Sequence, residues 1–163
     1  MAEKKKNLSE HDANRIPDAK GMRFGILVSE WNPEITEALK EGAISILKSN
    51  GASPDDIIEH HVPGSFELPG AARMMINSIK PDAVICLGCV IQGETRHFEF
   101  ICNAVANSIA MINATEGIPV IFGVLTTDNF QQAKDRAGGK YGNKGDEAAV
   151  AAIKMVALKK ALY

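Results

Sequence analysis

The feature that most limits how this chain can fold is a repeated alternation between two kinds of sequence pattern. Short, mostly apolar, β-branched runs occur at residues 24–28, 57–62, 83–87 and 120–125, and each is followed by a stretch with helical apolar spacing. Such runs are typical of strands buried on both faces, and their alternation with helices implies right-handed crossovers. The sequence therefore predicts an α/β fold, a three-layer α/β/α sandwich around a four-stranded parallel sheet.

The helical stretches carry start and stop signals. Asn32 is placed to cap the first helix, Pro33 suits its first position, and Asn50-Gly51 is typical of its end. Further helices are predicted over about 68–79, 98–116, 128–136 and 146–162. Asp128 is the candidate cap of the short fourth helix, and the glycine-rich sequence AGGKYGNKG separates it from the last one.

Composition narrows the classes of function. A net charge of −2 and a pI near 6.1 lack the basic footprint of a nucleic-acid-binding protein. No long apolar segment follows the N-terminal basic run of Lys4, Lys5 and Lys6, so neither a signal peptide nor a membrane span is expected. The three cysteines do not suggest a disulfide framework, which fits a reducing cytoplasm. Residues 1–21 are polar and aperiodic, so they are predicted to form a flexible N-terminal arm ahead of a single domain at 22–163.

Unusual polar and aromatic residues cluster where the predicted strands end. In an open parallel sheet, ligands bind outside the carboxyl ends of the strands, so the residues that follow strands are candidates for a site. The segments that follow the four strands are 30–32, 63–67, 89–97 and 126–128. The single tryptophan, Trp31, and a loop phenylalanine, Phe66, both fall at this edge. This coincidence predicts that one site is built there.

The segment after the third strand, GCVIQGETRHFEF, has two interpretations. It has the glycine spacing of a phosphate-binding loop, but Glu94 stands where a nucleotide-hydrolysing loop needs lysine. What is left is a turn whose N–H groups at Gly93, Glu94 and Thr95 suit one phosphate group; the alternative is an ordinary strand-to-helix turn. His97 is correspondingly either a proton-transfer group or a surface histidine.

The cysteines and two other histidines have structural interpretations. Cys86 and Cys89 have C-x-x-C spacing, but Cys86 lies inside a predicted strand, where a redox pair is not expected. The order of histidine and cysteines is also reversed relative to zinc deaminases, so packing is favoured over metal binding, and Cys102 is grouped with them. His60 and His61 point to opposite faces of one strand, which predicts that one is buried and the other exposed.

The basic segment after the fourth strand also has two interpretations. Arg136, Lys140 and Lys144 recur every four residues among four glycines, which argue against one continuous helix. The segment is either a solvated helix end or a flexible loop that closes on an anion.

Five segments in order resemble the motifs of the 6,7-dimethyl-8-ribityllumazine synthases, the enzymes of the penultimate step of riboflavin biosynthesis. They are SEWN, VPGSFELP, GCVIQGETRHFEF, IPVIFGVLTT and RAGGKYGNKG, and the resemblance spans about residues 22–162. It implies a flavodoxin-like fold and a transferase that condenses 5-amino-6-(D-ribitylamino)uracil with 3,4-dihydroxy-2-butanone 4-phosphate. The products are 6,7-dimethyl-8-ribityllumazine, phosphate and water, and no metal or organic cofactor takes part.

The resemblance also implies roles for individual residues. His97 matches the proton-transfer residue of the family. Residues matching those at the pyrimidine and ribityl chain are Trp31, Asn32, Ser65, Phe66, Glu67, Cys89, Val90, Ile91 and Phe122. Residues matching those at the phosphate are Gly93, Glu94, Thr95, Arg136 and Lys144. The family supplies Phe122 and Arg136 from a neighbouring subunit.

Three positions depart from the family pattern. Glu94 stands where a small residue is common, so its side chain has to point away from phosphate and only its backbone serves. Gln92 stands where arginine is frequent, and Asp135 where glutamate is common. None of these departures removes a required role.

The resemblance implies a cytoplasmic homo-oligomer: a pentamer, a decamer or a sixty-subunit icosahedral capsid, with riboflavin synthase as a further candidate partner. The loop GGKYGNKG lacks an obvious insertion, which favours the shell, whereas the proline-bearing arm opposes that packing. Two other functions stay open, a non-catalytic flavin- or lumazine-binding protein and a shell-forming scaffold. His97 and Arg136 favour the enzyme, because a binding protein has no need of a general base.

Overall fold

The computed structural model describes residues 7–163, so the first six residues of the predicted arm lie outside the described residues. The strands are β1 Phe24–Ser29, β2 Ile57–Val62, β3 Ala83–Ile91, β4 Val120–Thr127, β5 Ala137–Gly139 and β6 Gly142–Asn143. The helices are α1 Pro33–Ser49, α2 Leu68–Ile79, α3 His97–Glu116, α4 Phe130–Asp135 and α5 Lys144–Leu162. Single 3₁₀ turns lie at Ala13–Arg15, Pro54–Asp56 and Ser65–Glu67.

The main sheet is parallel and has the strand order β2-β1-β3-β4. Helices α1 and α5 pack on one face and α2 and α3 on the other, so each face has its own apolar core. This arrangement is the predicted three-layer α/β/α sandwich of flavodoxin-like order, and the prediction is confirmed. The strand after β1 is added on one side of it, and β3 and β4 are added on the other. This switch in strand order places a crevice above β1 and β3.

Burial on both faces holds for the central strands but not for β2. Every residue of β1 is buried, whereas β2, at the edge of the sheet, buries only Val62. His60 and His61 are therefore both exposed, and the prediction that one of them is buried is wrong. His61 instead lies 2.5 Å from the Glu37 carboxylate on α1, which also pairs with Lys40. These two contacts lower the pKa of Glu37, with the Lys40 hydrogen bond the larger cause.

Two of the predicted helix caps are wrong. Asn32 precedes α1 but makes no side-chain cap; it takes a left-handed conformation (φ 59°, ψ 58°), and its amide donates instead to the Cys89 carbonyl at 3.2 Å. Asn129 rather than Asp128 caps α4, since its Oδ1 accepts from the Gln132 N–H at 2.9 Å. Both alternatives use the capacity of asparagine to satisfy backbone groups outside a helix.

The predicted end of α1 is confirmed. Gly51 has φ 106°, its N–H donates to the Lys48 carbonyl, and the Ala52 N–H donates to the Leu47 carbonyl at 3.0 Å. This pair of bonds is a Schellman motif, which satisfies the last carbonyls of the helix.

The glycine-rich segment forms a structure that the sequence did not indicate. Strands β5 and β6 pair as a short antiparallel hairpin, with Gly138 and Gly142 at positive φ. The last helix starts at Lys144 rather than near residue 146, because Asn143 Oδ1 caps it by accepting from the Gly145 N–H at 2.7 Å. The segment therefore ends in a defined turn rather than a solvated helix end.

Residues 7–21 lie against the domain at two places. Ala19 is fully buried and its N–H donates to the Asn50 carbonyl at 2.7 Å, while the Leu8 N–H donates to the Tyr141 carbonyl at 3.1 Å. The flexibility of the arm and the domain boundary at residue 21 stay predictions. Within residues 7–163, no helix combines the length and the apolar character needed to cross a membrane.

Replacing Gly145 by alanine is expected to lower the free energy of unfolding by about 1–3 kcal/mol or more. A Cβ there would overlap the Leu39 carbonyl oxygen, which belongs to the backbone of α1 and cannot rotate away. The matched control is Gly70→Ala in α2, where no described heavy atom outside the local backbone of that helix lies within 4 Å of the added Cβ. Thermal unfolding of both variants checks this; equal midpoints would show that α1 and α5 are free to separate.

Candidate active site

A cleft of about 660 Å³ opens above the crevice between β1 and β3. Segments that follow β1, β2 and β3 converge on it, as the rule for open parallel sheets requires. Its lining residues are Trp31, Asn32, Gly64, Ser65, Phe66, Glu67, Cys89, Val90, Ile91, His97 and Ile101. Nine of these were predicted from the sequence; Gly64 and Ile101 were not. Gly64 lies in the segment 63–67 that follows β2, and Ile101 lies on the apolar face of α3; these are the sequence signals that could have indicated them.

Trp31 forms an aromatic wall of the cleft. Its side chain is 71% exposed, so the ring is not a core residue. The indole lies close over Gly64, where an added Cβ would be 3.2 Å from Trp31 Cδ1. Phe66 is also largely exposed, at 57%. Two exposed aromatic rings beside an apolar floor suit a flat heteroaromatic ligand.

Polar atoms lie among these apolar surfaces. Ser65 is 6% exposed, and within residues 7–163 its Oγ has no hydrogen-bond partner. It lies directly over β3, because a Cβ on Gly88 would be only 2.5 Å from that oxygen. An orphaned buried hydroxyl costs free energy, which a hydrogen bond to a ligand in the cleft would offset.

The turn between β3 and α3 leaves several donors unused. Within the described residues, the backbone N–H groups of Gly93, Glu94, Thr95 and Arg96 find no acceptor. They precede the N-terminus of a 20-residue helix, where negative charge is stabilised. Thr95 Oγ1 accepts from the His97 N–H at 3.4 Å. Unused N–H groups at a helix N-terminus beside an imidazole suit the binding of an anion.

The two cysteines of the C-x-x-C sequence lie on opposite faces of the sheet. Cys86 belongs to the core under α2 and α3, and Cys89 to the core under α1 and α5. Residues three apart in a strand cannot share a ligand on one face. Burial raises the pKa of Cys86 to about 12 and that of Cys89 to about 11. In the described part of the chain, no three His, Cys, Asp or Glu side chains are grouped to hold a metal ion.

Six of the predicted site residues do not line the cleft of the same chain: Gly93, Glu94 and Thr95 lie on the turn before α3, and the other three lie on other elements. Phe122 is part-buried on β4, and Arg136 and Lys144 flank the β5–β6 hairpin. Arg136 donates from Nη1 to the Tyr141 carbonyl at 2.8 Å and from Nη2 to Glu147 Oε1 at 2.6 Å. Lys144 Nζ lies 3.4 Å from Glu147 Oε2. Glu147 was not predicted, because only the hairpin brings it beside Arg136.

Comparison with known proteins identifies the family. The family model described as 6,7-dimethyl-8-ribityllumazine synthase matches residues 21–160. A protein of that name from Cytophaga hutchinsonii is 57% identical over 157 residues, covering 96% of this chain and 98% of its own. One from Phocaeicola vulgatus is 54% identical over 162 residues, covering 99% and 96%. One from Porphyromonas gingivalis is 50% identical over 160 residues, covering 98% and 99%. These matches place the chain in the 6,7-dimethyl-8-ribityllumazine synthase family.

Proposed function

We propose that the chain is an enzyme that joins 5-amino-6-(D-ribitylamino)uracil to 3,4-dihydroxy-2-butanone 4-phosphate in riboflavin biosynthesis. The observation that carries this is the single cleft in which Trp31, the 65–67 turn and His97 meet beside a turn of unused N–H groups. The uracil amine and the butanone ketone form a C–N double bond and release water. Phosphate then leaves, and ring closure releases a second water to give 6,7-dimethyl-8-ribityllumazine.

The two substrates bind in different parts of the cleft. The flat pyrimidine stacks on Trp31 above the apolar floor formed by Cys89, Val90 and Ile91. The ribityl hydroxyls reach Ser65 and Glu67, and the orphaned Ser65 Oγ gains a partner. Asn32 holds the floor in place through its bond to the Cys89 carbonyl. Binding the substrates side by side supplies proximity, which is a large share of the rate enhancement in such condensations.

The butanone phosphate occupies the turn before α3. Its phosphate accepts hydrogen bonds from the N–H groups of Gly93, Glu94 and Thr95, and the Glu94 side chain points into solvent. His97 then lies next to the reacting carbon atoms and exchanges the protons that dehydration and phosphate loss require.

A neighbouring subunit completes the phosphate site. In residues 7–163, the side chains that line the cleft include no lysine or arginine, although a phosphate dianion calls for them. Arg136 and Lys144 from the neighbour supply that charge, and its Phe122 covers the pyrimidine. Large exposed apolar residues on α2 and α3, among them Met74, Phe100 and Met111, support burial against another copy. The proposed assembly is a cytoplasmic homo-oligomer, either a pentamer, a decamer or a sixty-subunit shell, and native mass measurement distinguishes these three.

His97→Ala is expected to fold normally and to make lumazine more slowly. General acid–base groups contribute about 10²–10⁴-fold to the rate. We expect the low end or less here, because amines and ketones already condense, although slowly, without a catalyst. Product fluorescence across pH 6–8 measures the rate, with the exposed His60→Ala as the control. A His97→Ala enzyme as fast as the control would remove His97 from the reaction. Absence of product from the unaltered protein would favour a pure binding protein.

Trp31→Ala is expected to raise the KM for the pyrimidine more than the KM for butanone phosphate. Lost stacking costs about 0.5–1.5 kcal/mol beyond the lost contact area, which is roughly 2- to 13-fold. Trp31→Phe keeps a ring and serves as the matched control. The reverse pattern of KM changes would place Trp31 at the phosphate.

Arg136→Ala is expected to weaken butanone phosphate binding strongly, and Arg136→Lys to restore it only in part. A hydrogen bond to a charged group contributes about 1.5–3 kcal/mol, and lysine lacks the planar fork of arginine. Lys140→Ala, on the turn of the same hairpin, is the control.

If His97 and Arg136 of one site come from different chains, two impaired variants can complement each other. Co-refolding His97→Ala with Arg136→Ala chains is expected to give more activity than either variant refolded alone, because some mixed sites hold both residues. Activity equal to the average, with mixed assembly confirmed by native mass, would place the site within one chain.

A further inference from the structure

The Arg136 guanidinium is held by two oxygen atoms of its own chain. These are the Tyr141 carbonyl, bonded to Nη1 at 2.8 Å, and Glu147 Oε1, bonded to Nη2 at 2.6 Å. A guanidinium has five N–H groups, so three are left to bind an anion. The direction in which those three point depends on where the two oxygens are fixed.

The N-terminal residues reach the same two oxygen atoms. The Leu8 N–H donates to the Tyr141 carbonyl at 3.1 Å, and Ser9 Oγ lies 3.0 Å from Glu147 Oε1. Ser9 Oγ also accepts from the Asn143 N–H at 2.6 Å and lies 2.9 Å from the Asn143 carbonyl. Because a hydroxyl has one hydrogen, Ser9 donates to either Glu147 or that carbonyl at any moment.

The β5–β6 hairpin packs closely against Asn7 and Ser9. Gly142 has φ 93°, and a Cβ there would overlap both Asn7 Oδ1 and Ser9 Oγ. Ser9 also has its own N–H bonded to Asn7 Oδ1 at 2.9 Å, so the segment is a turn rather than a passing strand. The absence of a side chain at Gly142 is what lets the hydroxyl approach the hairpin.

We propose that Leu8 and Ser9 are positioning residues for phosphate binding: they fix the Tyr141 carbonyl and Glu147 Oε1, and so orient the Arg136 guanidinium towards the phosphate of the substrate. Without Ser9, Glu147 is free to turn towards Lys144, which already lies 3.4 Å from its other oxygen. The guanidinium would follow it. This inference rests on the proposed role of Arg136 at the phosphate.

In the test, kcat and the KM for each substrate are measured for Ser9→Ala, once in the chain with Arg136 and once in the chain with Arg136→Ala. With Arg136 present, Ser9→Ala is expected to raise the KM for butanone phosphate about 3- to 10-fold, the effect of one lost hydrogen bond. The inhibition constant of inorganic phosphate rises by the same factor, while kcat and the KM for the pyrimidine stay within about twofold. With Arg136→Ala in place, Ser9→Ala has no further effect, since a residue that acts through another is silent without it.

Two further variants complete the design. Leu8→Pro removes the N–H bonded to the Tyr141 carbonyl and is expected to reproduce the change without touching Ser9. Ser53→Ala is the matched control, because Ser53 also accepts from a backbone N–H but lies at a distant turn. Native mass and thermal unfolding of every variant show whether assembly is intact.

The outcomes separate the two proposals. If Arg136→Ala raises the KM for butanone phosphate and Ser9→Ala does not, this inference is overturned and the proposed function stands. An equal rise for Ser9→Ala with and without Arg136, or a change of native mass, also overturns it, since the arm would then act elsewhere. An Arg136→Ala enzyme with unchanged KM overturns both the role of Arg136 and this inference.

Discussion

The parallel pairing of β1 with β3 is the constraint on which the rest of the structure depends. Their adjacency fixes the strand order and leaves the crevice that becomes the cleft. The side chain of Asn32 spans that crevice. This residue follows β1 with its backbone in a left-handed conformation, and its side-chain amide donates to the Cys89 carbonyl on β3. A non-glycine residue in this conformation is uncommon, and asparagine tolerates it best. The same bond fixes the floor of the cleft and the direction in which α1 departs.

Much of this architecture was predictable because it follows from local patterns. The apolar runs and helical spacing predict the four strands of the main sheet and five helices. The rule for the edge of a parallel sheet brings Trp31, Ser65 and His97 to one place. The predictions that were wrong also have physical explanations. Neither histidine of β2 is buried, because an edge strand is not covered, and sequence alone does not distinguish edge from centre. Asn32 bonds across the sheet rather than capping its helix, a choice made by tertiary contacts.

The remaining part of the site depends on long-range contacts and on other chains. Arg136 and Glu147 are eleven positions apart, and only a short hairpin at two glycines with positive φ makes them an ion pair. Ser9 and Asn143 are 134 positions apart. No periodicity connects such residues. The family resemblance assigned Arg136 and Phe122 to a neighbouring subunit, a relation that a single folded chain does not contain.

The burial of Cys89 has a consequence for the chemistry of the cleft. This cysteine lies at the floor under the proposed pyrimidine position, and the second proposed substrate, a ketone bound at the neighbouring turn before α3, is an electrophile of the kind that thiolates attack. Because burial raises the pKa of Cys89 to about 11, the thiol stays protonated near neutral pH. Desolvation therefore keeps the floor from competing with the substrate amine for the carbonyl carbon. The cleft gains the shape and polarisability of sulfur without its nucleophilicity.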